Sequence, residues 1–466
     1  MLFRVLALLV MLFATPVNSQ EPAPVFSQEL LETSLKLRQL AIGDPTGYQI
    51  VESLTTEVGA RLAGSPAEAR ARDWAVEKLS SMGFENVRVE AFKVPLWQRG
   101  IESAAVVSPF PQSLSITALG GSVSTGTEGV EGEIISFPSL LALSNAERAE
   151  VEGKIVFIDE VMTRTQDGSG YSEASQKRRE TAYEAHRQGA IAALIRSVGT
   201  SNHRFPHTGQ MHRVSDEEVI DSVPTAALSA PDADQLARIQ DRGVPVIVNL
   251  VLETQIQPAS FSGNVIAEIP GRERPDEIVL IGAHLDSWDL GTGAVDDGAG
   301  VGIVIAAAKL ILDSLAEAPK RTIRIVLFGS EEVGLVGAKA YAERHAEALK
   351  DHVVGTESDF GAGDIWRFDT RFGENAAAVA KEFAAALKPL GIAPGNNAAS
   401  GGPDMLFVRE AGVPVVTLLQ NGWDYFDLHH TPDDTLDKIG KSELDQNIAA
   451  FAVFTYLAAE TDAYFR

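Results

Sequence analysis

From Ser262 to the C-terminus, short β-branched apolar runs alternate with segments of helical period, and few folds accept that pattern. Strands are expected over 277–283, 322–328, 353–357 and 413–419, and helices over 301–315, 335–349, 375–387 and 442–459. Such alternation specifies an α/β domain. The strand ends are the informative places, because four of them carry acids or histidines. The first delivers His284-Leu285-Asp286 and a glycine-rich loop ending in Asp296-Asp297. The second delivers Glu331-Glu332, the third Glu357-Ser358-Asp359, and the fourth leads through a loop to His429-His430. In open α/β sheets ligands bind outside the carboxyl ends of strands, so these groups can converge from distant parts of the chain.

The preceding half reads differently. A helix is expected over 28–41, and another opens at Ser65-Pro66, with serine as cap and proline at the first position, and stops at Gly83. Residues 87–92 alternate as a strand. Between 109 and 258 the texture shifts to glycine-rich turns, short apolar strands at Ile155–Ile158 and 190–195, and one helix over 177–188. This block is read as an α+β, β-rich module inserted into the α/β domain, which then comprises 20–108 and 259–466. Residues 5–14 form an apolar run after a single arginine and precede small residues, the pattern of a secretory signal peptide over 1–19. The mature chain is therefore expected to be secreted or periplasmic, with no membrane span.

Composition closes off several functions. The formal charge of −25 opposes nucleic acid and anionic lipid, both of which need clustered lysine and arginine. The absence of cysteine removes disulfides, thiolate metal sites and a cysteine nucleophile. Carboxylates packed together at the strand ends would repel and raise one another's pKa unless cations sat among them. Imidazole and carboxylate without thiolate suits zinc ahead of cobalt or manganese. The glycines at 291, 293, 298 and 300 lack the spacing and the lysine of a phosphate loop.

The series His284-x-Asp286, Asp296-Asp297, Glu331-Glu332, Asp359 and His430 resembles that of the two-zinc aminopeptidases and carboxypeptidases of the M28 class. The likeness extends over nearly the whole mature chain, through Val58-Gly59-Ala60-Arg61, Trp97-Gln98-Arg99 and Ser287-Trp288-Asp289. It implies a zinc-exopeptidase three-layer sandwich with a mixed central sheet, and an insert like the protease-associated (PA) domain. It implies two zinc ions per chain: Asp296 bridging, His284 and Asp359 on one, Glu332 and His430 on the other. Asp286 would hydrogen-bond the ligating histidine, Glu331 would be the general base, and Asp297 would support the loop. The resemblance further suggests that His429 stabilises the developing oxyanion, that 400–404 lines the substrate site, and that the chain can form a homodimer. The implied substrate is a dipeptide or short peptide; aminopeptidase and carboxypeptidase or dipeptidase activities both stay open. A non-catalytic binding protein is disfavoured by the presence of Glu331 with every ligand position. A single-zinc cyclase-like relative is disfavoured by the insert. His203, His207 and His212 form a second cluster in a loop over 202–212, open to readings as metal site, substrate contact or surface loop. The loop's proline and glycine suggest a mobile lid over the cleft.

Overall fold

The computed structural model describes residues 25–211 and 221–466. The expected signal segment and His212 lie outside the described residues. The α/β expectation is met, with strands Ile365–Arg371 and Ala393–Pro394 in addition to the expected ones. The main sheet has eight strands, in the order Glu85–Gln98, Gln255–Ile269, Arg321–Phe328, Arg274–His284, His352–Glu357, Val415–Gln420, Ile365–Arg371 and Ala393–Pro394. Its central neighbours around Arg274–His284 are parallel, while both flanks contain antiparallel pairs, so the sheet is mixed.

Alternation along the central strands explains the layers. Val279, Ile281 and Ala283 join one apolar cluster with helices Ala299–Ser314 and Lys441–Glu460. Ile278 and Leu280 join another with Val336–Arg344 and Leu406–Glu410. Successive side chains on a strand point to opposite faces, so a strand covered on both sides reads as an unbroken apolar run. Helix Pro66–Ser81 begins as expected: the Ser65 hydroxyl accepts from the Glu68 N–H at 3.1 Å, a cap worth about 1 kcal/mol.

A second eight-stranded sheet has a parallel centre, Val130–Phe137, Ile155–Ile158, Ala192–Arg196 and Thr225–Leu228. Sheet membership changes after Gln98 and again at Gln255, not at 109 and 258. Glu102–Ser108 pairs with Ile247–Leu252 in the second sheet, and Pro109 merely follows that strand at a hairpin tip. Pro258 stands at a register shift inside Gln255–Ile269, opposite 94–96, where a proline interrupts a ladder without ending the strand. The helix expected from 177 starts eight residues earlier, as Ser169–Arg187. Its first turns, Ser169-Gly170-Tyr171-Ser172, read as loop in isolation and are held helical by packing. The expected 335–349 helix breaks after Arg344 into a 3₁₀ segment, Ala346–Asp351.

Candidate active site

The chain turns from the end of Arg274–His284 into helix Ala299–Ser314 through a tight loop fastened from both sides. The fully buried Arg61 guanidinium donates to the carbonyls of Leu285, Thr292 (2.8 Å) and Gly293 (2.9 Å). The Asp434 carboxylate accepts from the backbone N–H groups of Val295 (2.6 Å) and Asp296 (3.2 Å). Asp297 accepts from the N–H groups of His284 and Gly300, each at 3.1 Å, and so holds the loop itself. Arg99 meets Asp289 through two bonds of 2.9 and 3.0 Å, which joins two motifs that the sequence left without a role.

So fixed, Asp296 divides its two oxygens between two groups. Oδ1 lies 3.0 Å from His284 Nε2, and Asp359 Oδ1 lies 3.5 Å from the same nitrogen. Oδ2 lies 3.3 Å from His430 Nε2, which is 2.9 Å from Glu332 Oε2. Donor atoms about 2.0–2.2 Å from a tetrahedral zinc are about 3.3–3.5 Å apart, close to these separations. Both histidines are oriented through their other nitrogen. His284 Nδ1 donates to the Asp286 carbonyl at 3.0 Å, and His430 Nδ1 donates to the Thr208 carbonyl at 3.1 Å. Each Nε2 is thereby turned toward the carboxylates. The Asp286 carboxylate stands 3.7 Å from His284 Nδ1; its Oδ1 accepts from the Glu331 N–H at 3.1 Å. Asp286 thus serves His284 through its main chain, and its side chain positions Glu331.

The electrostatics call for cations. Burial alone would raise Asp296, but His284 and His430 hold it well below the usual carboxylate range. Burial would lower His430, yet Glu332 and Asp296 outweigh it and push it up to about 9. The histidines take on positive charge because the carboxylates around them need it, and divalent metal ions meet the same need. Glu332 Oε1 is buried without a hydrogen-bond partner, a further opening for a Lewis acid.

Beside this cluster lies a cleft of about 680 Å³ between the main sheet's strand ends and helix Ser169–Arg187. Glu331, Asp296, Glu332, Asp359, His429 and His430 line it, as do Ser400, Gly402 and Pro403. Burial, followed by repulsion from Asp359 and Glu332, raises Glu331 well above an ordinary glutamate, against the pull of His284. His429 stacks on His430 with ring centroids 3.4 Å apart, and its Nε2 is 3.5 Å from Asp296 Oδ2. Burial and the neighbouring His430 keep it neutral, and its Nδ1 has no partner. A cavity of 800 Å³ at the sheet's far edge, against Ala377–Leu387, is lined by no histidine and by one acid, Glu374.

The two described histidines of the 202–212 loop stand in different surroundings. His203 is exposed, while His207 is buried with Nδ1 2.7 Å from the His429 carbonyl. Thr208 N–H donates to the His430 carbonyl at 3.1 Å. Residues 206–209 are therefore a buried wedge that fixes the His429-His430 backbone, and the mobile-lid expectation fails for them. Apolar periodicity was absent because the wedge is held by hydrogen bonds. The sequence reading also passed over Arg178 and Tyr171, both on the cleft wall.

The profile of peptidase family M28 matches residues 264–455. Carboxypeptidase Q of Bos taurus is 35% identical over 415 residues, spanning 89% of this chain and 85% of that protein. The chain belongs to peptidase family M28. The crystal structure of an M28 peptidase precursor from Shewanella amazonensis SB2B is 48% identical and superposes with a TM-score of 0.90, over 94% of this M28 chain and 98% of that one. The zinc aminopeptidase of Bacillus subtilis, 20% identical, shares the M28 fold at a TM-score of 0.65, over 90% of this chain and 96% of that one. The zinc-exopeptidase architecture expected from the motifs is thus the architecture found. No helix among the described residues is long and apolar enough to cross a membrane.

Proposed function

We propose that this M28 peptidase is a two-zinc exopeptidase acting on dipeptides or short peptides, exported by its first 19 residues to the periplasm or the exterior. The carrying observation is the division of the Asp296 oxygens between the His284–Asp359 and His430–Glu332 pairs. In this reading His284 and Asp359 hold one zinc, His430 and Glu332 the other, and Asp296 both. When bound, the paired ions polarise the scissile carbonyl and acidify water. Glu331, next to a ligand and facing the cleft, accepts the proton of the attacking water and returns it to the leaving amine. Its Asp286-held backbone keeps the carboxylate in place. His429, neutral and with a free Nδ1, donates to the oxygen that becomes negative. The block containing the second sheet is read as a PA-like insert, which walls the cleft and restricts it to short chains; a homodimer is compatible with this reading.

The reading is tested by elemental analysis of gently purified protein and a dipeptide panel with and without chelator. About two zinc ions per chain and chelator-sensitive hydrolysis are expected. Reproducible absence of transition metal, with no activation by added zinc, would overturn it.

A further inference from the structure

Among the described residues that line the cleft, Arg178 has one nitrogen without a hydrogen-bond partner. Arg178 is 7% exposed. Its Nε donates to the Gln210 carbonyl at 3.2 Å, and its Nη2 donates to the Tyr171 hydroxyl at 2.6 Å. The Tyr171 ring lies 5.3 Å from its Cζ and braces the plane. The remaining nitrogen, Nη1, is buried and has no hydrogen-bond partner. Arginine is rarely buried unless paired, because an unpaired charged donor out of water is costly. A Cβ placed on Gly209 would stand 2.5 Å from this Nη1 and 2.8 Å from His430 Nδ1, so a single methyl group would touch both. The free donor is therefore next to the histidine that faces Asp296 and Glu332.

We propose that Arg178 receives the free α-carboxylate of the substrate, so that this enzyme reads the C-terminal end of a short peptide. The proposal rests on the exopeptidase reading and adds the end that is recognised. A guanidinium presents donors in a planar fork that suits a carboxylate, and charge-assisted bonds of this kind are among the strongest available. Two divalent cations would take up the charge of Asp296, Glu331, Glu332 and Asp359, and Arg178 would keep its Nη1 donor for an anion. Proximity to His430 matters as much as charge. A carboxylate held there is within one residue of a carbonyl at the candidate metal centre, since successive Cα atoms are about 3.8 Å apart. The bond cleaved is then the last one, releasing a single C-terminal amino acid. Placing Arg178 on helix Ser169–Arg187 also gives the insert a direct part in specificity, which the catalytic groups alone do not require.

The test compares kcat/KM of the full metal-loaded chain for one dipeptide in three forms: free, C-terminally amidated and N-acetylated. The free and acetylated forms should exceed the amide by roughly 10- to 100-fold, the range of a hydrogen bond to a charged group. In Arg178→Gln the acid-to-amide ratio should fall toward one, and Arg178→Lys should restore part of it. Calorimetric titration with N-acetylalanine and its amide gives a second readout, in which wild type binds the acid and Arg178→Gln does not. Equal wild-type rates on acid and amide with the acetylated form refused would overturn the proposal, because a free amine would then be what is read. An unchanged ratio in a folded Arg178→Gln would overturn it too. If none of the three forms is cleaved, the exopeptidase reading fails, while the titration still decides whether Arg178 holds a carboxylate.

Discussion

Replacing His207 probes how the second sheet holds the site. Its ring packs on Gly199, where a Cβ would come within 2.3 Å of it, and Nδ1–H donates to the His429 carbonyl. Burial pushes its pKa down to about 4 from 6.5; the bond to His429 works against that shift and the charge near His430 adds to it. The gap corresponds to about 3 kcal/mol, at about 1.4 kcal/mol per pH unit. The folded state binds the proton less readily than the unfolded chain. The stabilisation is therefore complete above pH 6.5 and is lost as the pH falls from 6.5 toward 4. His207→Leu removes this titration and leaves a buried carbonyl without its donor, at a cost of about 1–3 kcal/mol at pH 7. Its disadvantage should shrink between pH 6.5 and pH 4, because only the wild type pays for protonating the buried ring. His207→Asn, whose amide can replace the Nδ1–H donor, should recover most of the pH 7 stability without the acid sensitivity. Urea unfolding of the three proteins at pH 7 and pH 4.5 measures this directly. Parallel pH dependence in wild type and His207→Leu would refute the argument, as would equal pH 7 stability of the leucine and asparagine variants.

Glu331→Gln keeps the side chain's size but cannot accept a proton; turnover should fall roughly 10²–10⁴-fold while zinc content by elemental analysis stays the same. His429→Ala should lower kcat on the order of 10²-fold with a modest change in KM, and steady-state kinetics separate this from a packing role, which would move thermal stability instead. Gly209→Ala puts a methyl against Arg178 and His430 at a residue with φ of +135°, so it should cost about 1–3 kcal/mol in thermal unfolding and reduce zinc retention on dialysis.

Much of the site was legible in the chain because its chemistry is written at strand ends. A buried strand announces itself as an apolar run, and an acid or histidine directly after one lies at the carboxyl edge of the sheet. His284, Asp296, Glu331, Glu332, Asp359 and His430 could be collected that way, and the M28 resemblance ordered them. Arg178 was not collected, because Lys177-Arg178-Arg179 looks like a solvated charge run. A signal did exist: Ala174, Arg178, Ala182 and Ala185 recur at helical spacing and are all buried. The points where the chain changes sheets were hard to read for a similar local reason, since prolines at a hairpin tip and at a register shift carry the same letters as prolines at the edge of a sheet.

The sequence by itself determined the α/β character of the C-terminal half, the caps and faces of its helices, and the residue types available for metal chemistry. Those follow from periodicity and from donor chemistry, which act over a few residues. Tertiary structure alone decided that the Asp286 side chain holds the Glu331 backbone and that His207 braces the His429-His430 backbone. It also decided that Nη1 of Arg178, on helix Ser169–Arg187, stands without a hydrogen-bond partner beside His430. Each of these depends on where one strand or loop meets another more than 30 residues away, and local pattern holds no record of such meetings.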